Sequence, residues 1–287
     1  MTRRALHHII FIAACLLISI GAKASDLKYG LASREVIMSR LKAAPRSDTG
    51  REDELAKMFR EVGCQPAEQP VKGLHQPNVL CILAGSSDSV IVVGGHFDHA
   101  DEGDGIIDDW SGASLLPSLY QSLANRPRSH TFVFIGFGGE EQGLVGSEFY
   151  AKHLTPEQRK QIVAMVNLEC LGVTPTKVWT SHSEPQMVRM LLALAQSMQI
   201  PLSGVNVDNV GTTDSESFAH YKIPRITIHS ITQETWPLLH SKNDNLKAIK
   251  EDLYYDSYRL ITPYLVLLDQ QLPTVLPMLP PYPKPQL

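Results

Sequence analysis

The run from His130 to Phe137, followed by Gly138-Gly139-Glu140-Glu141-Gln142-Gly143-Leu144, constrains this chain more than any other stretch. Its Val, Ile and Phe residues read as a buried strand. Two glycines break it, two adjacent acids follow, and Leu144-Val145-Gly146-Ser147 opens a helix. In an open α/β sheet, ligands and chemistry collect just past the carboxyl ends of strands. Neighbouring carboxylates repel each other unless positive charge sits beside them. A lone Glu-Glu pair is more often a solvated acidic turn, so the weight of this one depends on what the other strand ends carry.

Along the chain, Thr49-Gly50-Arg51-Glu52 has capping-box spacing and precedes Leu55, Met58, Phe59 and Val62 at helical intervals. Val79 to Leu83 and Val90 to Val93 are β-rich runs separated by Gly85-Ser86-Ser87-Asp88, which predicts a hairpin-like pair. The second run ends in Gly94-Gly95-His96-Phe97-Asp98-His99. An acidic loop leads on to Asp108-Asp109-Trp110-Ser111-Gly112 and a helix from Ala113 to Ala124, which Pro117 should kink or delay. Thr155-Pro156-Glu157-Gln158 caps a short helix. Ile162 to Leu168 is a strand ending in Glu169-Cys170, Ser183 to Gln199 an amphipathic helix, and Ile223 to Ile228 a further strand. His240 lies in the loop beyond it, and residues 246 to about 270 close the pattern as a helix. Strands separated by helical segments predict an α/β protein: a mixed, mostly parallel central sheet flanked by helices on both faces.

The chain has 287 residues, 43% hydrophobic, with a net charge of -4. That suits one sizeable domain and offers no electrostatic case for nucleic acid. At the amino terminus, Arg3 and Arg4, the apolar run Ile9 to Ile20 and Ala22-Lys23-Ala24 read as an export signal over residues 1–24. The expectation is a periplasmic or secreted protein with no stable membrane partner after cleavage. Ile12-Ala13-Ala14-Cys15 also resembles a lipoprotein box, but the apolar residues Leu16 to Ile20 continue where a mature lipoprotein turns polar. Residues 25–271 form the expected domain, and residues 272–287, with six prolines, an extended or disordered tail. Of the cysteines after residue 24, Cys64 and Cys81 flank predicted neighbouring strands. An exported protein can keep a disulfide there, worth about 3 kcal/mol; the alternative is buried free thiols.

Near the predicted strand ends stand His96, Glu140, Glu141 and Glu169, with Asp108 and His240 in adjoining loops. Nitrogen and oxygen donors of this kind favour zinc, with cobalt or manganese as replacements. Two histidines with three or four carboxylates exceed what one zinc needs and suit two ions sharing a bridging carboxylate.

Gly95-His96-Phe97-Asp98, Asp108-Asp109-Trp110-Ser111-Gly112-Ala113, Gly139 to Ser147, Asn167-Leu168-Glu169 and Leu239-His240-Ser241 resemble, in order, the motifs of the co-catalytic di-zinc aminopeptidases of peptidase family M28. The resemblance runs from about Asn78 to about Leu246, and the family includes bacterial leucyl aminopeptidases, glutamate carboxypeptidases and glutaminyl cyclases. It implies the zinc-exopeptidase fold and two zinc ions per chain. His96, Glu141, Glu169 and His240 would be terminal ligands, and Asp108, three residues before Ser111, the bridging one. Asp98 would hold the His96 ring, and Glu140 would be the general base that moves a proton from the attacking water, held between the metals, to the departing amine. The implied substrate is a peptide with a free amino terminus. Three residues depart from the family pattern. Glu169 stands where Asp is common, Trp110 replaces a small residue and should narrow the pocket, and Leu239 replaces a frequent Tyr that stabilises the oxyanion.

Two rivals remain at this level. A glutaminyl-peptide cyclotransferase uses a similar zinc site, but the segments at Asp108 and Glu140 follow the peptidase pattern. A non-enzymatic binding module on the same fold would be expected to lack ligands, whereas here every ligand and the base are in place.

Overall fold

The computed structural model describes residues 27–207 and 211–274. The export signal, most of the proline-rich tail and residues 208–210 lie outside the described residues.

Eight strands form one sheet. They are β1 (Ala67–Gln69), β2 (Asn78–Leu83), β3 (Val90–His96), β4 (Thr131–Phe137), β5 (Ile162–Leu168), β6 (Lys177–Val178), β7 (Ser203–Gly204) and β8 (Arg225–His229), in the order β1-β2-β4-β3-β5-β8-β6-β7. Pairs β4–β3, β3–β5, β5–β8 and β6–β7 are parallel, while β1–β2, β2–β4 and β6–β8 are antiparallel. The sheet is mixed and mostly parallel, as predicted. The predicted β2–β3 hairpin does not form, because β4 lies between them, antiparallel to β2 and parallel to β3. Every residue of β3 and β4 is buried, so each needs cover on both faces and a hydrogen-bonded neighbour on both edges.

Alternation along the central strands splits the core. Val79, Cys81, Ile91, Val93, Phe132, Phe134 and Val166 face a large cluster with α1 (Arg34–Lys42), α2 (Asp48–Glu61), α4 (Leu116–Ala124), α7 (Pro185–Met198) and α9 (Glu251–Gln271). Leu80, Val92, Val133, Ile135 and Met165 face a smaller cluster with Tyr150 of α5 (Val145–His153) and Phe218 of α8 (Ser215–Ala219). Helices therefore cover both faces. Two short helices complete the set, α3 (Ser111–Ala113) and α6 (Pro156–Gln161), the latter capped by the Thr155/Gln158 capping box.

Local signals were close to their elements, with instructive shifts. α2 is capped by Ser47, whose side chain accepts from Gly50 N, and so starts one residue before Thr49. Pro117 sits in the first turn of α4, where a missing N–H costs nothing; this separates α3 from α4. Cys64 and Cys81 form a disulfide that ties the end of α2 to β2. No helix among the described residues is long and apolar enough to cross a membrane.

Candidate metal centre

Parallel pairing brings the predicted strand ends into one row. His96 is in register with Phe137, so the end of β3 lies beside the turn that carries Glu140 and Glu141. On its other side β3 pairs with β5, which ends one residue before Glu169. Neighbouring strands lie about 4.8 Å apart, so residues leaving three adjacent strand ends converge on one small volume.

Asp108 stands at the middle of that volume. One carboxylate oxygen is 3.1 Å from His96 Nε2, the other 3.1 Å from His240 Nε2. Glu169 Oε1 lies 3.5 Å from His96 Nε2, and Glu141 Oε2 lies 3.1 Å from His240 Nε2. Glu140 Oε2 is 3.9 Å from His96 Nε2. These side chains make two half-sites that share Asp108: His96 with Glu169, and His240 with Glu141.

Asp108 rather than Asp109 takes this place because Asp109 is committed elsewhere. Its Oδ1 accepts from Gly112 N at 2.9 Å, Cys170 N at 2.9 Å and Ser111 Oγ at 3.3 Å, bonding the 108–112 stretch to the end of β5. Gly112 permits this approach, since a Cβ there would come within 2.7 Å of the Leu168 carbonyl. Asp109 nonetheless keeps a carboxylate oxygen within 4.8 Å of donor atoms of His96 and Glu169.

Asp98 stands behind the His96 ring, with both its carboxylate and its backbone carbonyl toward Nδ1. The His96 ring meets the backbone carbonyl of Asp98 at 3.2 Å, while the carboxylate stands 3.5 Å from Nδ1. That carboxylate accepts the backbone N–H groups of Glu140 and Glu141, each at 3.1 Å, and so links the two motifs. Trp110, by contrast, is placed otherwise than expected. It is wholly buried and does not narrow the pocket; its indole N–H points away, to the carbonyls of Leu41 at 3.1 Å and Arg40 at 3.3 Å. Leu239 does line the cavity, and no tyrosine does so among the described residues.

Asn167 of the β5 motif and three residues not singled out in the sequence complete the site. Thr213 donates to Glu169 Oε2 at 2.5 Å and Asn167 donates to the same oxygen at 3.1 Å, leaving Oε1 toward His96. Asp244 accepts from Ile107 N at 2.6 Å and Asp108 N at 3.2 Å. Asp214 is wholly buried and neither of its oxygens carries a hydrogen bond. Besides Asn167, only the spacing of Asp244 after His240 offers a sequence signal; Thr213 and Asp214 act through tertiary contacts.

The electrostatics are those of too many acids in too little water. Burial, reinforced by Asp214, Glu169 and Asp108, holds Glu140 well above the usual carboxylate range against the pull of His96. Burial and then Asp108 push Glu141 up to about 7, and burial pushes Asp214 up to about 7. Burial and then Glu169 hold Asp109 high. The hydrogen bond to Asp108 raises His240 to about 9. Burial opposes a charged His96, but Glu140, Asp108 and Asp98 outweigh it and raise the ring well above its ordinary value.

Such a group calls for cations. Glu141 Oε1 and Asp109 Oδ2 are buried without a partner, a costly condition unless something positive binds there. Donor atoms about 2.1 Å from a tetrahedral zinc lie about 3.4 Å from one another. The separations of 3.1 and 3.5 Å around Asp108 match that spacing. The residues fit a pair of metal ions.

A cavity of about 270 Å³ opens beside the cluster. Trp179, Val207, Ile231, Trp236 and Leu239 give it apolar walls. His229 also lines it as a neutral ring, pushed down to about 4 by burial, with Nε2 donating to the Val205 carbonyl and Nδ1 accepting from Ile231 N.

Comparison with known proteins places this geometry. Aminopeptidase YwaD of Bacillus subtilis is 25% identical over 185 residues, covering 60% of this chain and 40% of that protein. The chain thus spans well under two thirds of the curated relatives it matches. Three solved structures share the fold. The LapA aminopeptidase of Legionella pneumophila has a TM-score of 0.75 at 18% identity, over 95% of this chain and 79% of that one. The zinc aminopeptidase BSAP of Bacillus subtilis scores 0.60 at 23% identity, over 66% and 49%. A glutaminyl cyclase of Porphyromonas gingivalis scores 0.65 at 15% identity, over 81% and 96%. The sequence profile of Peptidase family M28 matches residues 78–265, which span every motif that meets at Asp108, and the chain belongs to that family.

Proposed function

We propose that this protein is an exported metallo-aminopeptidase that binds two zinc ions and releases apolar amino-terminal residues from peptides. The observation that carries the reading is the Asp108 carboxylate, with one oxygen facing His96 and the other facing His240, flanked by Glu169 and Glu141. In this reading those five residues hold the metals, and Asp108 is shared between them. When bound, the ions supply Lewis-acid polarisation of the scissile carbonyl and lower the pKa of a water at the site.

The chain's own residues do the rest. Glu140 is buried beside His96 with an affinity for protons well above that of a free carboxylate. It is suited to accept the proton of the attacking water and return it to the departing amine. Asp98, bonded to the amides of Glu140 and Glu141, keeps the base and its neighbour in register with the end of β3. The apolar cavity accepts the side chain of the first residue, and its neutral His229 adds no charge that would favour a basic or acidic one. The signal-like amino terminus and the Cys64–Cys81 disulfide support export.

The test is a panel of aminoacyl and peptide substrates, assayed before and after chelation and after return of zinc. Release of Leu, Phe or Met in preference to Lys or Asp, abolished by chelator, is expected. A Gln-initiated peptide separates the rival: release of free Gln supports the proposal, whereas a cyclised product would replace it with a cyclotransferase. Stoichiometric zinc with neither product would favour a binding role.

A further inference from the structure

We infer that Arg51, on a helix that precedes the M28-matched segment, is a positioning residue that fixes Asp108 between the two histidines. Arg51 is wholly buried in α2, yet among the described residues no carboxylate lies within ion-pair distance of its guanidinium. Its donors go to backbone carbonyls. Nε bonds Pro45 O at 3.1 Å, Nη1 bonds Phe97 O at 3.1 Å and Gly105 O at 3.0 Å, and Nη2 bonds Asp104 O.

Those carbonyls are significant by position. Phe97 directly follows His96, and Gly105 precedes Asp108 by three residues. One planar group therefore clamps both ends of the loop that joins one metal-ligating motif to the next. A rigid fork suits this task in a way a lysine ammonium does not. Gly105 has φ +54°, and a Cβ there would stand 2.4 Å from His99 Cβ and 3.0 Å from both Nη atoms, so the loop packs closely on itself and on the guanidinium at this point. Trp110 closes the clamp, its ring 5.7 Å from Arg51 Cζ and its N–H on the carbonyls of α1. This accounts for a tryptophan where the family pattern has a small residue.

The opposite side of the same loop is held by an anion. Asp244 accepts the amides of Ile107 and Asp108, and its own carbonyl accepts Asp104 N at 2.7 Å. A cation on the carbonyls and an anion on the amides leave the segment before Asp108 little freedom. Arg51 is also a permanent charge in the field of Asp48 first, then Asp244, Asp98 and Asp109, which compensates in part for burying it without a direct partner.

The inference rests on the metal reading above, and titration of the chelator-stripped full chain with zinc separates the two. Wild type should take up two ions; if it takes up none, the metal reading itself fails. Arg51→Met removes the donors and the charge but keeps the length, and should weaken zinc binding about tenfold or more, the effect expected of a residue that orients a ligand. Arg51→Lys keeps the charge without the fork and should fall between the two. Both are measured well below their melting temperatures, where a role confined to stability would leave zinc affinity unchanged. If Arg51→Met does not fold, Arg51→Lys decides. Two wild-type zinc affinities in a folded Arg51 variant would overturn the inference while leaving the metal reading intact.

Discussion

Shortening Glu169 to Asp tests whether its length is part of the site. Glu169 Oε2 is fixed by Thr213 at 2.5 Å and Asn167 at 3.1 Å, with Oε1 3.5 Å from His96 Nε2. Removing one methylene withdraws the carboxylate by about 1.5 Å, one C–C bond. Zinc–oxygen bonds near 2.0–2.2 Å cannot stretch to cover that distance. Backbone movement cannot cover it either, because Glu169 N is bonded to the Ile228 carbonyl at 3.0 Å and Cys170 N to Asp109. Asp at this position must give up either Thr213 and Asn167 or the metal. Losing a partner that orients a ligand costs about 10–100-fold in metal affinity, or about 1.4–2.7 kcal/mol. Calorimetric titration of the apoprotein should find one of two zinc sites weakened by that factor, and Glu169→Ala should lose more. Thr213→Val should weaken the same site in the wild type and add little to Glu169→Asp, since the two changes break one contact. Two sites of undiminished affinity in Glu169→Ala would refute the ligand role and the argument from length together.

Other outcomes follow from the same geometry. Glu140→Gln should keep both zincs, measured by elemental analysis, and lose about a hundredfold or more in kcat, whereas Asp108→Asn should lose metal; the reverse pattern would exchange their roles. In the apoprotein, Glu141 and Asp214 are raised from 4.5 and 3.8 to about 7, Asp244 from 3.8 to about 6 and His240 from 6.5 to about 9. Between pH 5 and 9 these groups make the folded state bind more protons than the unfolded chain; below about 6.5 His229, lowered from 6.5 to about 4, opposes them by one proton, so the fall is steepest above that pH. The acids' contribution is full below their unfolded values and lost as pH rises through about 6–7, and that of His240 is lost through about 9. The lowered values of Asp98 and Asp108 matter only in more acidic solution, outside this window. Thermal melts in chelator should show Tm falling from pH 5 to 9 while the gain from added zinc widens; a rising apoprotein Tm would contradict the site's electrostatics. Replacing Cys64 and Cys81 by Ala removes a cross-link spanning 17 residues and should cost about 3 kcal/mol in urea unfolding.

What the sequence by itself determined is the set of strand ends and what hangs on them. β5 begins and ends where its apolar run does, and β4 differs from its run only at His130, because a strand buried on both faces reads as a nearly continuous apolar run. His96, Glu140, Glu141 and Glu169 were legible as candidates for the same reason: each lies at or just beyond the end of such a run. Their convergence was a matter for tertiary structure, since it depends on β4, β3 and β5 lying side by side and parallel. The sequence pointed instead to a hairpin of β2 with β3, which local turn chemistry favours, whereas β4, distant in sequence, takes the place between them.

The resemblance distinguished Asp108 from Asp109 by register, but adjacent acids look alike to any periodicity. Only the bonds from Gly112, Ser111 and Cys170 to Asp109 give the physical reason that one carboxylate braces the loop and the other stands between the histidines. Arg51 and Thr213 left no local pattern, and Asp244 only its spacing after His240. Each is a single polar residue whose partners lie tens or hundreds of positions away, and its role exists only once burial has removed the water that would otherwise take its hydrogen bonds.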